Sequence, residues 1–279
     1  MKCIGLLLIM ILGSCRGPIH NGKSEQIERL LQRGFQSDAQ EDYRSSIIIY
    51  DSILQQEPDH YISLVNRGRA KISLGDTISG MADLDASIGI HPTPQAFASK
   101  AMVEFYNNPN KALIDLNNGN HAFPGQGLII ALLAQYYTSI HPMRDSALYY
   151  ADYTCKIATT SAPYLAAMNA YLYFGDYANL LKVTDSIIAR SPNSPYPYNN
   201  KGLAELNLGD LQDAKQDIRI SLNLDPDNAW AYRNMSLVFE KTNNLDSSCF
   251  YAQIARQKDK QQQYKKDIDS LISKFCGKK

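Results

Sequence analysis

The sequence predicts an all-α protein made of stacked antiparallel helix pairs, and three observations carry that prediction. Four prolines, Pro58, Pro92, Pro192 and Pro226, mark a rhythm: the first two stand 34 residues apart, as do the last two. The 100 residues between the pairs hold three more such periods with two residues missing. A fixed period of that size marks a repeat architecture, because one short helix pair cannot bury its apolar side alone and stacks on the next. The second observation is that residues 61–94 and 195–228 align position by position. The third is a recurrence of small residues where two helices must cross closely: Gly68 and Gly202 at the eighth position, Gly80 and Ala214 at the twentieth.

Residues 27–60 keep Gly34, Tyr50 and Pro58. In 61–94 and 195–228 the helices are joined at Leu74-Gly75-Asp76 and Leu208-Gly209-Asp210, where glycine supplies a left-handed end and aspartate opens the next helix. Leu84 and Ile218 fill an apolar slot four residues beyond the second small residue. Residues 95–127 and 128–160 match more loosely. The former has a short second helix running into Asn118-Gly119-Asn120, and the latter turns at His141-Pro142 with Ala147 as its small residue. Residues 161–194 keep Tyr164, Tyr171, Gly175-Asp176-Tyr177 and Pro192, and 229–258 keep Tyr232, Ser236, Phe239 and Ala255, with Asn243-Asn244 at the turn.

This pattern resembles the tetratricopeptide (TPR) repeat over about residues 25–258, as seven units with two degenerate near 95–160. The resemblance implies a right-handed superhelical solenoid whose first helices line a concave face. Positions 2, 5, 6, 9, 12 and 13 of each unit would point into it. In the last two units those positions include Tyr196, Asn199, Asn200, Leu203, Trp230, Arg233, Asn234 and Leu237. Side-chain amides both donate and accept, so the asparagines suit the backbone of an extended peptide. Arg233 suits a carboxylate, while Trp230 and Tyr196 offer flat contact at small entropic cost. The expected partner-binding set is therefore Tyr196, Asn199, Asn200, Trp230, Arg233 and Asn234. In 128–160 the same rule selects Ile129, Leu132, Leu133, Tyr136 and Ile140. Either this is an apolar stretch of groove, or the register slips by one and these residues are inter-helix core.

The N-terminus points to a compartment. After Lys2 comes an apolar run from Ile4 to Leu12, too short to span a bilayer, and then Leu12-Gly13-Ser14-Cys15. This resembles a bacterial lipoprotein signal, which implies cleavage after residue 14 and acylation of Cys15. The alternative is an ordinary cleaved signal peptide with a chance cysteine. Arg16 after the cysteine implies, by the same resemblance, the outer membrane, with the protein facing the periplasm. The expected organisation is a signal segment 1–14, a lipidated cysteine with tether 15–24, a solenoid 25–258 and a basic capping helix and tail 259–279. In the tail, Tyr264, Ile268, Leu271, Ile272 and Phe275 form one stripe of an amphipathic helix. Eight basic against three acidic residues over 256–279 suit either a solvated cap or an anionic surface.

Composition narrows the function classes. With 28 basic and 28 acidic side chains, nucleic acid is not an implied partner. The histidines never fall four apart on one helix, no glycine-rich phosphate loop or nucleophile elbow occurs, and no CxxC spacing suggests a metal, so neither an enzyme nor a cofactor is expected. Paired acids such as Asp83/Asp85 and Asp213/Asp217 fall on second helices, where a solvated outer surface is expected. Cys155, Cys249 and Cys276 allow at most one bridge, and free buried thiols are expected at Cys155 and Cys249. The expected function is a membrane-tethered scaffold holding a protein or peptide partner in the cell envelope. The alternative is an accessory lipoprotein for structure or solute uptake that binds a glycan or a transporter component.

Overall fold

The computed structural model describes residues 22–158 and 161–276. The signal segment, Cys15 and most of the tether lie outside the described residues. Those described fold as helices and turns in two compact units, divided between His91 and Pro92.

The first unit holds α1 (Gly22–Ala39), α2 (Tyr43–Gln56), α3 (Tyr61–Ser73) and α4 (Thr77–Ile90), each packed on the next. Ile27, Leu31, Tyr50 and Ile53 make its first buried cluster. A Cβ on Gly34 would stand 2.6 Å from the ring of Tyr50. Between α3 and α4 the predicted small pair meets backbone to backbone: a Cβ on Gly68 would stand 2.8 Å from the carbonyl oxygen of Gly80. Gly75 turns the chain at φ +91°, and Asp76 caps α4 by accepting from the Ser79 amide.

The second unit runs α5 (Pro94–Glu104), α6 (Pro109–Ala122), α7 (Gly127–Gln135), α8 (Arg144–Ile157), α9 (Ser161–Phe174), α10 (Tyr177–Arg190), α11 (Pro195–Leu208), α12 (Leu211–Leu224), α13 (Ala229–Lys241), α14 (Leu245–Lys258) and α15 (Lys265–Phe275). Alternate helices α5, α7 and α9 touch in series, as do α11 and α13, so the odd-numbered members form an inner layer. Gly202 against Ala214 repeats the close crossing, and in the last full pair Ser236 and Ser248 replace it with mutual hydrogen bonds, Ser236 Oγ donating to the Ser248 carbonyl at 2.8 Å. Gly175 and Gly209 are left-handed, and Asn243 does the same work at φ +55°. Asp176 accepts from the Asn179 amide, while Asp210 begins α12 without a side-chain capping bond.

Three sequence expectations need correction. Cys249 is not a free thiol; it is bonded to Cys276, which joins α14 to the end of α15, and Cys155 alone stays free among the described cysteines. Asp83 and Asp217 are not solvated, although Asp85 and Asp213 are exposed. Arg67 holds Asp83 through two nitrogens at 2.8 and 2.6 Å and reaches Asp51 on α2 at 2.6 Å. Lys201 repeats the arrangement, at 3.4 Å from Asp217 and 3.0 Å from Asp185 on α10. A basic residue at position seven thus ties its own second helix to the preceding one. Burial alone would push Asp83 up, but hydrogen bonds from Arg67 and Lys71 outweigh it and hold the carboxyl below its ordinary range.

The third correction is one of register. First helices begin at Tyr61, Pro94, Gly127, Ser161, Pro195 and Ala229, so the unit aligned from 128 starts one residue earlier. Its second helix nevertheless keeps Ala147 in the expected slot. The extra residue between them is absorbed by a five-residue π-helical turn, Tyr136–Ile140, that continues α7. Ile129, Leu133 and Tyr136 are accordingly buried in the core.

Candidate functional site

The residues singled out near the C-terminus lie close together, and most already have partners within the chain. Asn234 is fully buried and donates through Nδ2 to the Asn199 Oδ1 at 2.9 Å. Asn200 is buried with its amide nitrogen 3.3 Å from the Met168 sulfur. Tyr196 is exposed. Arg233 stacks over the half-buried Trp230 at 4.6 Å, donates to the Asn234 Oδ1 at 2.9 Å and stands 3.9 Å from Asp267 on α15. Its Nε is buried without an acceptor. Burial pushes this guanidinium down, against the pull of Asp267 and Tyr177. Tyr264, at the start of α15, meets Trp230 at 4.5 Å between ring centroids. What this cluster offers at the surface is aromatic faces and a guanidinium not fully satisfied; the asparagines beneath hold α11 to α13 and to α9.

A second feature lies further toward the N-terminus of the same unit. An open cavity of about 590 Å³ is bounded by Met102 of α5, Leu128, Ala131, Leu132 and Gln135 of α7, the π-turn, the end of α8, and Leu165, Ala166 and Asn169 of α9. None of its lining residues is charged. Met102, Leu128 and Leu165 are exposed large apolar side chains, the kind that fold stability does not require at the surface. Leu165, Ala166 and Asn169 hold positions 5, 6 and 9 of their unit. In α7 those positions are Ala131, Leu132 and Gln135, one residue before the set read from the sequence.

Of the set read from the sequence, Leu132 lines the cavity, whereas Ile129, Leu133 and Tyr136 are core, as the alternative of a one-residue slip had it. A signal was present: the eighth position must be small, and only the earlier register puts Ala134, which is fully buried, there instead of Gln135. Among the described residues, no three His, Cys, Asp or Glu side chains are grouped to hold a metal ion.

An inner layer of first helices, small residues at positions eight and twenty, and starts 33 or 34 residues apart define the architecture. The fold is the tetratricopeptide-repeat solenoid. No protein-family model matches the sequence, and no curated protein does. Solved structures do. A tetratricopeptide repeat protein from Parabacteroides merdae is 15% identical, with a TM-score of 0.56 over 89% of this chain and 98% of its own. PilF of Pseudomonas aeruginosa, 12% identical, gives 0.60 over 75% of this chain and 97% of its own. The C-terminal part of a TPR protein from Cytophaga hutchinsonii, 11% identical, gives 0.59 over 86% and 99%. At these identities the likeness is one of fold.

Proposed function

We propose that this chain is a scaffold that holds a protein partner against its inner helices while a lipid on Cys15 tethers it to the bacterial envelope. The observation that carries the reading is the uncharged cavity between α5, α7 and α9, rimmed by exposed Met102, Leu128 and Leu165. A surface of that kind disfavours a charged ligand, because it holds no opposite charge to offset lost hydration, and suits an apolar side chain or helix face with a few polar groups at its edge. The TPR fold supports a protein-interaction role in general. The Cys249–Cys276 bridge supports export, since such links persist outside a reducing cytosol. The C-terminal cluster extends the surface with Tyr196, Trp230 and Arg233.

The test is crosslinking and capture from intact envelopes, comparing the native protein with Leu165→Glu. Leu165 is exposed, so the substitution leaves the fold intact while placing a charge in the cavity. One envelope protein captured by the native chain and lost in the variant is the expected result. Capture of no protein at all would overturn the scaffold and favour a glycan. Metabolic labelling with a fatty-acid analogue, lost in Cys15→Ala, checks the anchor.

A further inference from the structure

The tail helix sits in the repeat register. Tyr264 meets Trp230, Asp267 faces Arg233, Leu271 belongs to the cluster that Leu237 packs against, and the Lys274 ammonium pairs with Glu240. Each pair is separated by 34 residues, so α15 lies beside α13 in the place of the first helix of an eighth unit. It carries groove positions of its own, with Tyr264 at position two continuing Tyr196 and Trp230, and Asp267 at position five next to Arg233. An eleven-residue helix is too short to stand alone in water and depends on what it packs against. Ile268, Leu271 and Phe275 are its buried side chains, and a single covalent link, Cys249–Cys276, closes its far end onto α14. Both cysteines are only partly buried, within reach of a small dithiol.

We infer that α15 is one half of the C-terminal partner site rather than a passive end, and that the Cys249–Cys276 bond decides whether that half is present. The inference rests on the scaffold reading above. Opening the bond is a two-electron exchange with a dithiol. A thiolate of the dithiol attacks one sulfur, the mixed disulfide is resolved by its second thiol, and the products are two cysteine thiols and an oxidised dithiol. Without the link, α15 frays, Tyr264 leaves Trp230 and Asp267 leaves Arg233. The surface that remains has lost the Tyr264 ring and the Asp267 carboxylate.

The experiment uses the full chain and its sole tryptophan, Trp230, as reporter. Acrylamide quenching of Trp230 and tryptic cleavage at Lys265 and Lys266 are compared with and without dithiothreitol, and in Cys276→Ser. Cys155 is already a free thiol, so among the described residues the reductant acts on this bridge alone. A photocrosslinker at exposed Tyr196 and another at Leu165 then report partner contact in intact envelopes. Reduction should raise quenching and cleavage severalfold and reduce crosslinks from Tyr196 at least fivefold, with Leu165 crosslinks kept. Cys276→Ser should reproduce this without reductant. The inference is overturned if α15 stays protected after reduction, or if it is released and Tyr196 crosslinks persist. In either case retained Leu165 crosslinks would leave the scaffold standing. Absence of crosslinks from both positions would sink both readings.

Discussion

At the scale of single residues, the inside of this protein is more ionic than its pattern of apolar positions announces. Glu205 on α11 is buried beside Asp217, with Oε2 lacking a hydrogen-bond partner. Burial first, and then the neighbouring carboxylate of Asp217, push it up to about 8, against the pull of Lys201. A carboxyl whose folded value exceeds its unfolded value of about 4.3 costs stability as pH rises from there to about 8, after which the loss is complete. Glu205→Gln removes that dependence. The variant should melt at the native temperature near pH 4.5 and several degrees above it at pH 8.5. Melting curves at both values check this, and an offset that does not change with pH would refute it. Gly68 allows a second prediction. Alanine there gains up to ~1 kcal/mol of helix propensity but drives a Cβ to 2.8 Å from the Gly80 carbonyl, an overpacking cost of ~1–3 kcal/mol. Gly68→Ala should therefore be destabilising, read as a lowered midpoint in urea.

Among the elements, those with strong local signals were the legible ones. Gly75, Gly175 and Gly209 ended helices as read, because a left-handed turn residue is a local requirement that leaves a local mark. Asn243 in place of glycine was equally readable, since asparagine tolerates the same backbone. The α7 register was only half legible: the small eighth residue, Ala134, marks the earlier start, but the added residue is taken up in a π-turn chosen by the packing on both sides of it. The Cys249–Cys276 link was missed for a similar reason: the two residues are 27 apart, and only the placement of α15 brings them to bonding distance. Closing a loop of that length removes chain entropy from the unfolded state worth about 3.5 kcal/mol. Cys276→Ser should lose at most that much in a denaturant titration. A loss near zero would mean that burial and ion pairs hold α15 without the link.

On the scale of the whole molecule, contacts between helices run overwhelmingly between neighbours in sequence. Stability in such an array is a sum of units and their interfaces, so damage stays local. Gly202→Val, which forces side-chain carbons into Ile218 and the Ala214 carbonyl, should speed amide hydrogen exchange in α11, α12 and the helices packed on them. Amides of α1 to α4 should keep their protection, and a uniform rise through the chain would contradict the additive picture. The fold class was legible because a 34-residue period repeats its evidence. The apolar cavity was legible only as a composition, because its lining depends on a register that one residue shifts.

The packing of α15 has a practical corollary. A fragment cut after residue 258, where the visible sequence repeats stop, would lose the helix that buries Leu271 and Phe275 against Leu237 and Ala252, and would strand Cys249 without its mate. The bared flank of α13 and α14 would be a ready-made contact for any other exposed apolar surface, and the unpaired thiol would crosslink molecules in air. Such a fragment should elute as disulfide-linked aggregates, whereas one ending at residue 276 should elute as a discrete species.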